Sequence, residues 1–468
     1  MSTVRKTRII CTLGPATESN EQLAELINAG ADVFRLNMSH AKHEWCEEIV
    51  ERIRAISAGC GRWVGILFDL QGPSIRTGDV DGEIELAKDE QFEIRRRETE
   101  PRIEKSVTVN YGGLMNDVKA GDELTVDNGE MLMMIESVEE DRMMCKVVTP
   151  GSLGSRRHIN LPGVRLTLPA LTDKDYADIK IAVECGADYI AGSFVRDAGH
   201  VRQLRSEMEQ LGGEAQIVSK LEDQEAMKNL DDIINESDVI MVARGDLGIE
   251  VHIEELPVIQ RRIVKRCHQL GRRVIVATHM LESMINSPTP TRAEVTDVSN
   301  AVFEEADAIM LSGETTVGKY PIRCVEIMNR VARRIERSGG MGYGLEATLK
   351  SEKQKLIKSA IAMADSIPQA LIVIFTRSGR TANSCALMRP KSPIFAFTPE
   401  AEVCRGLTLS RGVRSFTVPF CKTPRDTIEA AVELLRHQRD VAQGTPLVVV
   451  SDILYQDQAV DSVMLVHA

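Results

Sequence analysis

Eight short apolar runs, rich in β-branched residues and each followed by a stretch of helical period, limit what this chain can fold into more than any other feature. They span Arg8 to Gly14, Asp32 to Met38, Gly65 to Leu70, Tyr189 to Phe194, Gln216 to Leu221, Val239 to Ala243, Arg273 to Thr278 and Asp307 to Leu311. Between them, stretches such as Glu21 to Ala29, His200 to Leu211 and Leu256 to Leu270 set apolar residues at helical spacing against polar faces. Eight βα units predict a closed parallel (β/α)8 barrel of the TIM type, although a doubly wound sheet shares the pattern.

More than a hundred residues separate the third and fourth runs, far more than one helix needs. From Pro73 to Leu168 the pattern turns to strand-like pieces with turn signals at Asp81-Gly82, Ala120-Gly121-Asp122 and Asp127-Asn128-Gly129. The expectation is a small β-barrel lid domain, 73–168, inserted into a catalytic barrel of 1–72 and 169–337. The glycine-rich Arg337 to Gly344 reads as a flexible linker. Beyond it, the runs Ala370 to Phe375, Ser392 to Phe397, Val413 to Val418 and Pro446 to Val450 predict an open α/β domain over 345–468.

The net charge of −12 and the 4% aromatic content disfavour non-specific binding to nucleic acid or anionic membranes. Anionic ligands would therefore need local clusters of Arg and Lys. The ten cysteines are scattered, with no C-x-x-C pair, and no apolar run reaches about 18 residues. These features, with no signal-like segment after Met1, predict a cytoplasmic protein without structural zinc.

A parallel barrel carries its chemistry at the C-terminal ends of its strands. The second run ends Arg35-Leu-Asn37-Met-Ser39-His40, the third Asp69-Leu70-Gln-Gly-Pro, and the fifth Lys220-Leu-Glu222. The sixth ends Arg244-Gly245-Asp246, the seventh Thr278-His279 and the eighth Ser312-Gly-Glu314. Alternation sets Lys220 and Glu222 on one side of their strand, and Glu222 with Asp246 could share a divalent metal through hard oxygens. Cations and paired carboxylates at one pole suit metal-assisted chemistry on a phosphorylated anion.

Two nucleotide-like motifs do not fit their context. Gly313 to Tyr320 nearly spells a P-loop, but Tyr320 stands where a Ser or Thr would hold magnesium, and Gly342 to Ala347 matches G-x-G-x-x-A without a preceding strand. In the third domain, Thr376-Arg377-Ser378-Gly379-Arg380-Thr381 joins a strand to a helix and suits a phosphate.

These segments resemble pyruvate kinase. The resemblance rests on Arg5 to Pro15, Arg35 to His40, Gly72-Pro-Ser-Ile-Arg76-Thr, Asn160 to Gly163, Met241 to Gly248, Pro290 to Glu294 and Ser312 to Thr315. It implies a barrel with an inserted lid and a C-terminal regulatory domain, a homotetramer, and phosphoryl transfer from phosphoenolpyruvate to ADP giving pyruvate and ATP. It further implies Mg2+, replaceable by Mn2+, on Glu222 and Asp246. Lys220 falls at the position of the transition-state stabiliser, Arg35 holds phosphate, and Gly245, Asp246 and Thr278 receive the substrate carboxylate. Thr278 also lies where the enolate is protonated. Arg76, Arg157 and His40 fall at nucleotide-binding positions, Asn37, Ser39, Asp69 and the Leu70 carbonyl at those of K+, and Thr376, Arg377, Ser378, Gly379 and Thr381 at those of an effector phosphate.

The chain departs from the family pattern at Arg157, where lysine is usual, at His158 for glycine, at His279 for glutamine, and at Ser74, where potassium-requiring members carry glutamate. Val450 to Gln458 lacks the glycine- and asparagine-containing loop used with a bisphosphate activator, so the expected effector is a sugar monophosphate. Two rival functions are weaker. A metal-dependent lyase or aldolase has no use for the lid and its arginines, and a catalytically dead regulator has none for Lys220, Glu222, Asp246 and Thr278.

Overall fold

A computed structural model describes residues 5–127, 129–438, 441–455 and 458–468. The strands β1 (Arg8–Thr12), β2 (Val33–Asn37), β3 (Gly65–Asp69), β4 (Tyr189–Gly192), β5 (Gln216–Leu221), β6 (Val239–Ala243), β7 (Arg273–Ala277) and β8 (Ala308–Leu311) close into a parallel barrel. Closure is made by β1 pairing β8 from Arg8 opposite Ala308 to Cys11 opposite Leu311. All five residues of β3, β6 and β7 are buried, as expected for strands covered on both faces.

Alternation divides those side chains between two cores. Ile10, Val33, Leu67, Tyr189, Val218, Met241 and Ile275 fill the barrel interior, while Ile9, Phe34, Phe68, Ile217, Ile240 and Val276 pack under the surrounding helices. The interior is completed by a residue from another sheet's domain, the fully buried Leu409. Its N–H is accepted by the Tyr189 hydroxyl at 3.2 Å, and the same hydroxyl donates to the Gly406 carbonyl at 2.9 Å. Leu409 thereby stops the N-terminal mouth of the barrel.

In the insert, a six-stranded sheet runs in the order Ile159–Asn160, Glu123–Val126, Met131–Val138, Arg142–Val147, Gln91–Arg95, Ser106–Thr108, beside a pair formed by Gly151–Leu153 and Ile84–Leu86. Isolated bridges from Arg76 to His158 and from Thr77 to Val109 tie the segment at 76–77 to both edges of the six-stranded sheet.

The C-terminal sheet contains β9 (Leu371–Phe375), β10 (Ile394–Thr398), β11 (Val413–Thr417), β12 (Pro446–Tyr455) and β13 (Gln458–His467), in the order β11-β10-β9-β12-β13. The first four are parallel and β13 is antiparallel to β12. Here the structure corrects one expectation. The last run continues past Val450 to Tyr455 and returns as β13, so an edge strand escaped the sequence reading. The Val450 to Gln458 stretch, read for its missing loop, includes Gln456 and Asp457, which lie outside the described residues.

The glycine-rich segment is also not a free linker. Tyr343 is buried, its N–H donates to Glu305 at 3.0 Å, and its ring lies 6.1 Å from that of His268. Among the described residues no helix is long and apolar enough to cross a membrane.

Candidate active site

The C-terminal ends of β2, β3 and β5 bring charged groups together at one pole. Arg35 donates from Nε to Asp69 Oδ2 at 2.6 Å and from Nη1 to the Thr12 hydroxyl at 3.0 Å. The Lys220 ammonium lies 3.3 Å from Asp69 Oδ1, 3.0 Å from Glu222 Oε1 and 2.6 Å from the Ser193 hydroxyl. The spacing of Lys220 and Glu222 thus does what alternation promised.

Burial works against every charge here, and the pairs decide the outcome. Burial alone would lower the Lys220 pKa, yet Asp69 and Glu222 raise it above the usual lysine value. Burial would raise Asp69, but Lys220 and Arg35 hold it below the carboxylate range. Glu222 is the exception. Burial pushes it up to about 7, only partly opposed by Lys220, and the nearby Asp246 carboxylate pushes the same way.

Glu222 Oε1 is buried with no aligned hydrogen bond, and Oε2 accepts the Phe194 N–H at 2.6 Å. A carboxylate oxygen left in this state, beside a second carboxylate that repels it, fits a hard divalent cation that takes its other ligands from substrate and water. Among the described residues no three His, Cys, Asp or Glu side chains cluster as a metal cage.

Helix Arg244–Glu250 starts directly after β6 and carries Gly245 and Asp246. The Gly245 N–H donates to the Thr278 hydroxyl at 2.8 Å, and that hydroxyl donates to the Ala277 carbonyl at 2.6 Å. Thr278 and His279 both have left-handed backbones, with φ of 68° and 53°. Buried Arg244 braces this corner, donating to Ala277 O and Thr278 O while pairing with Asp297 at 2.7 Å. His279 is turned outward and lies 3.5 Å from Glu282.

Of the four expected potassium ligands, three have protein partners for their oxygens. Asn37 Oδ1 accepts the Ser39 N–H at 3.2 Å, the Leu70 carbonyl accepts the Ser193 hydroxyl at 2.8 Å, and Asp69 lies between Arg35 and Lys220. Ser74 accepts from Arg76 Nε at 3.3 Å.

The lid reaches the pole through His158 and Asn160. The His158 ring stands edge-on to Phe194 at 5.8 Å, and Asn160 Nδ2 donates to Glu250 at 3.0 Å. Of the nucleotide candidates, Arg76 donates to the Arg156 carbonyl at 3.1 Å, Arg157 lies 3.3 Å from Asp127, and His40 is exposed on the turn after β2.

In the third domain, Gly379 takes φ of 76° and donates its N–H to Thr376 at 3.0 Å, while Arg377 lies 5.0 Å from the centre of the Phe420 ring. Arg377, Ser378, Gly379 and Arg380 line a cleft of about 920 Å³ shared with Arg272 and Arg273 of the barrel floor.

Sequence reasoning passed over Ser193 and the Phe194 N–H. Their one visible signal was position, directly after the apolar Tyr189 to Gly192.

Residues 4–325 match the barrel domain of pyruvate kinase and residues 354–467 its alpha/beta domain. Plastidial pyruvate kinase 2 of Arabidopsis thaliana is 40% identical over 95% of this chain and 78% of its own length. Pyruvate kinase of Geobacillus stearothermophilus is 38% identical over 99% and 80%. A crystal structure of a pyruvate kinase from Cryptosporidium parvum superposes with a TM-score of 0.92 at 34% identity, covering 98% of this chain and 96% of that one. With both domains matched in order and relatives aligned nearly end to end, the chain belongs to the pyruvate kinase family and is a phosphotransferase of glycolysis.

Proposed function

We propose that the polar cluster at the barrel end moves the phosphoryl group of phosphoenolpyruvate to ADP. The observation that carries the reading is the convergence of Lys220, Arg35, Asp69 and Glu222 within direct contact distance. A β-phosphate oxygen of ADP attacks phosphorus, the bond from phosphorus to the enol oxygen breaks, and the enolate left behind takes a proton at its methylene carbon. Arg35 holds the phosphoryl group in the ground state. Lys220 faces it as a compact charge through a loose transition state.

Glu222 and Asp246 hold Mg2+, or Mn2+ in its place, which when bound neutralises phosphoryl and carboxylate charge as a Lewis acid. The substrate carboxylate sits at Gly245, Asp246 and Thr278. Because the Thr278 proton is engaged with Ala277 O, the hydroxyl orients a water that protonates the enolate rather than giving up its own proton. Arg76, Arg157 and His40 receive nucleotide phosphates, which requires Arg157 to leave Asp127.

The remaining expectations belong to the same reading. A sugar monophosphate binds Thr376 to Thr381, the domains divide as 1–72 with 169–337, 73–168 and 345–468, and four copies assemble. Ten cysteines, all unpaired, support a reducing cytoplasmic compartment. The test is a coupled assay of pyruvate formed from phosphoenolpyruvate, ADP and magnesium, each omitted in turn. Pyruvate formation independent of ADP would overturn the reading.

A further inference from the structure

Lys220 takes its shortest contact from a neighbouring strand. Strand β4 ends at Gly192, and the next two residues form a corner over the site. Ser193 is only 5% exposed, and its hydroxyl donates to the Leu70 carbonyl at 2.8 Å. Its lone pairs are thereby left for the Lys220 ammonium, which donates to it at 2.6 Å. Gly72 closes the other side, since a Cβ there would lie 2.7 Å from the Ser193 Cβ. Phe194 follows with φ of 53°, a conformation bulky residues rarely adopt, and its N–H reaches Glu222 Oε2 at 2.6 Å. Strain of this kind persists only where the surroundings over-determine it, and it concentrates at functional sites.

We infer that the Ser193–Phe194 corner is a positioning element for phosphoryl transfer, Ser193 aiming the Lys220 ammonium and the Phe194 N–H fixing Glu222 by Oε2 so that Oε1 is turned toward the lysine. The inference rests on the reading of Lys220 as the cation of the transition state. An ammonium on a four-carbon stem has no direction of its own. Asp69 and Glu222 lie farther from it, at 3.3 and 3.0 Å, and as carboxylates they offset the charge they hold. Ser193 is the neutral partner, and steers the charge without cancelling it. Phe194 does the corresponding work on Glu222, where its N–H bonds Oε2 and Oε1 faces the Lys220 ammonium at 3.0 Å.

The experiment compares full-length wild type with Ser193→Ala, Ser193→Cys, Lys220→Met and the Ser193→Ala/Lys220→Met double variant. Cysteine fills the serine's place but accepts hydrogen bonds poorly. Both Ser193 variants should lower kcat about 10- to 100-fold, the scale of a misplaced catalytic group, with the KM for phosphoenolpyruvate within about twofold and the thermal midpoint close to wild type. In the Lys220→Met background, Ser193→Ala should add less than about twofold, because its effect acts through the lysine.

A full Ser193→Ala loss on top of Lys220→Met, or a Ser193→Cys enzyme with wild-type kcat, would overturn the corner's role while leaving that of Lys220 standing. Near-normal turnover in Lys220→Met would overturn both.

Discussion

Replacing Lys220 with methionine removes the ammonium and keeps an unbranched side chain out to the ε position. In the structure that ammonium is gripped by Ser193, Glu222 and Asp69. Charge on a phosphoryl group in flight about 4 Å away interacts with it by about 4 kcal/mol at an effective dielectric of about 20. That corresponds to about a thousandfold in kcat, since each 1.36 kcal/mol is tenfold. Ground-state binding should change little, because Arg35 keeps its own hold on Asp69 at 2.6 Å and still offers a cation to phosphate.

The substitution also strands two buried carboxylates. Asp69 retains Arg35, whereas Glu222 loses its one cation, so a modest fall in thermal midpoint should accompany the kinetic loss. The assay is pyruvate formation at saturating ADP and magnesium with phosphoenolpyruvate varied. A drop in kcat of less than about tenfold, or a loss that appears in KM alone, would refute the argument.

Glu222→Gln and Asp246→Asn should each raise the magnesium needed for half-maximal activity at least tenfold, as a charged hard ligand is lost; magnesium titrations overlaying wild type would exclude the assignment. Activity should persist when potassium is replaced by tetramethylammonium at constant ionic strength, because Asp69 is already flanked by Arg35 and Lys220; a loss beyond about a hundredfold would show the site is required. Ser378→Ala with Thr381→Ala should abolish activation by sugar monophosphates and spare basal turnover, whereas activation by fructose 1,6-bisphosphate alone would contradict the monophosphate reading. Burial and Arg389 press the His268 pKa down to about 3, so the unfolded chain binds its proton first as acid is added. The stability this neutral histidine contributes is full above about pH 6.5 and declines toward pH 3, and His268→Gln should flatten the fall of the thermal midpoint between those values.

The barrel was readable in the sequence because its strands lie under cover on both faces, leaving runs such as Val239 to Ala243 without a polar interruption. Edge strand β13 was not, since Ser451 and Asp452 break the run in β12 before it turns back. The segment from Arg337 to Gly344 misled by composition, for nothing in its glycines announces that Tyr343 is buried beside His268.

At the site, Lys220 and Glu222 could be found from their two-residue spacing alone. Ser193 could not be weighed, because the fourth apolar run extends through Phe194 and so places the serine inside a strand that in fact ends at Gly192, and a positive φ at Phe194 has no sequence signature. The contact of Gly245 with Thr278 joins two strand ends 33 residues apart, which the parallel pairing of β6 with β7 brings together.

Leu409 makes the division by sheets different from the division by cores. A gene cut at residue 345 would keep all eight barrel strands and lose the side chain that seals them, leaving an open apolar well around Ile10, Leu67 and Tyr189 and an unanswered tyrosine hydroxyl at its rim. The third domain is therefore a structural part of the first. Whatever ligand it gains or loses in evolution, it is held in place by the need to keep water out of the barrel.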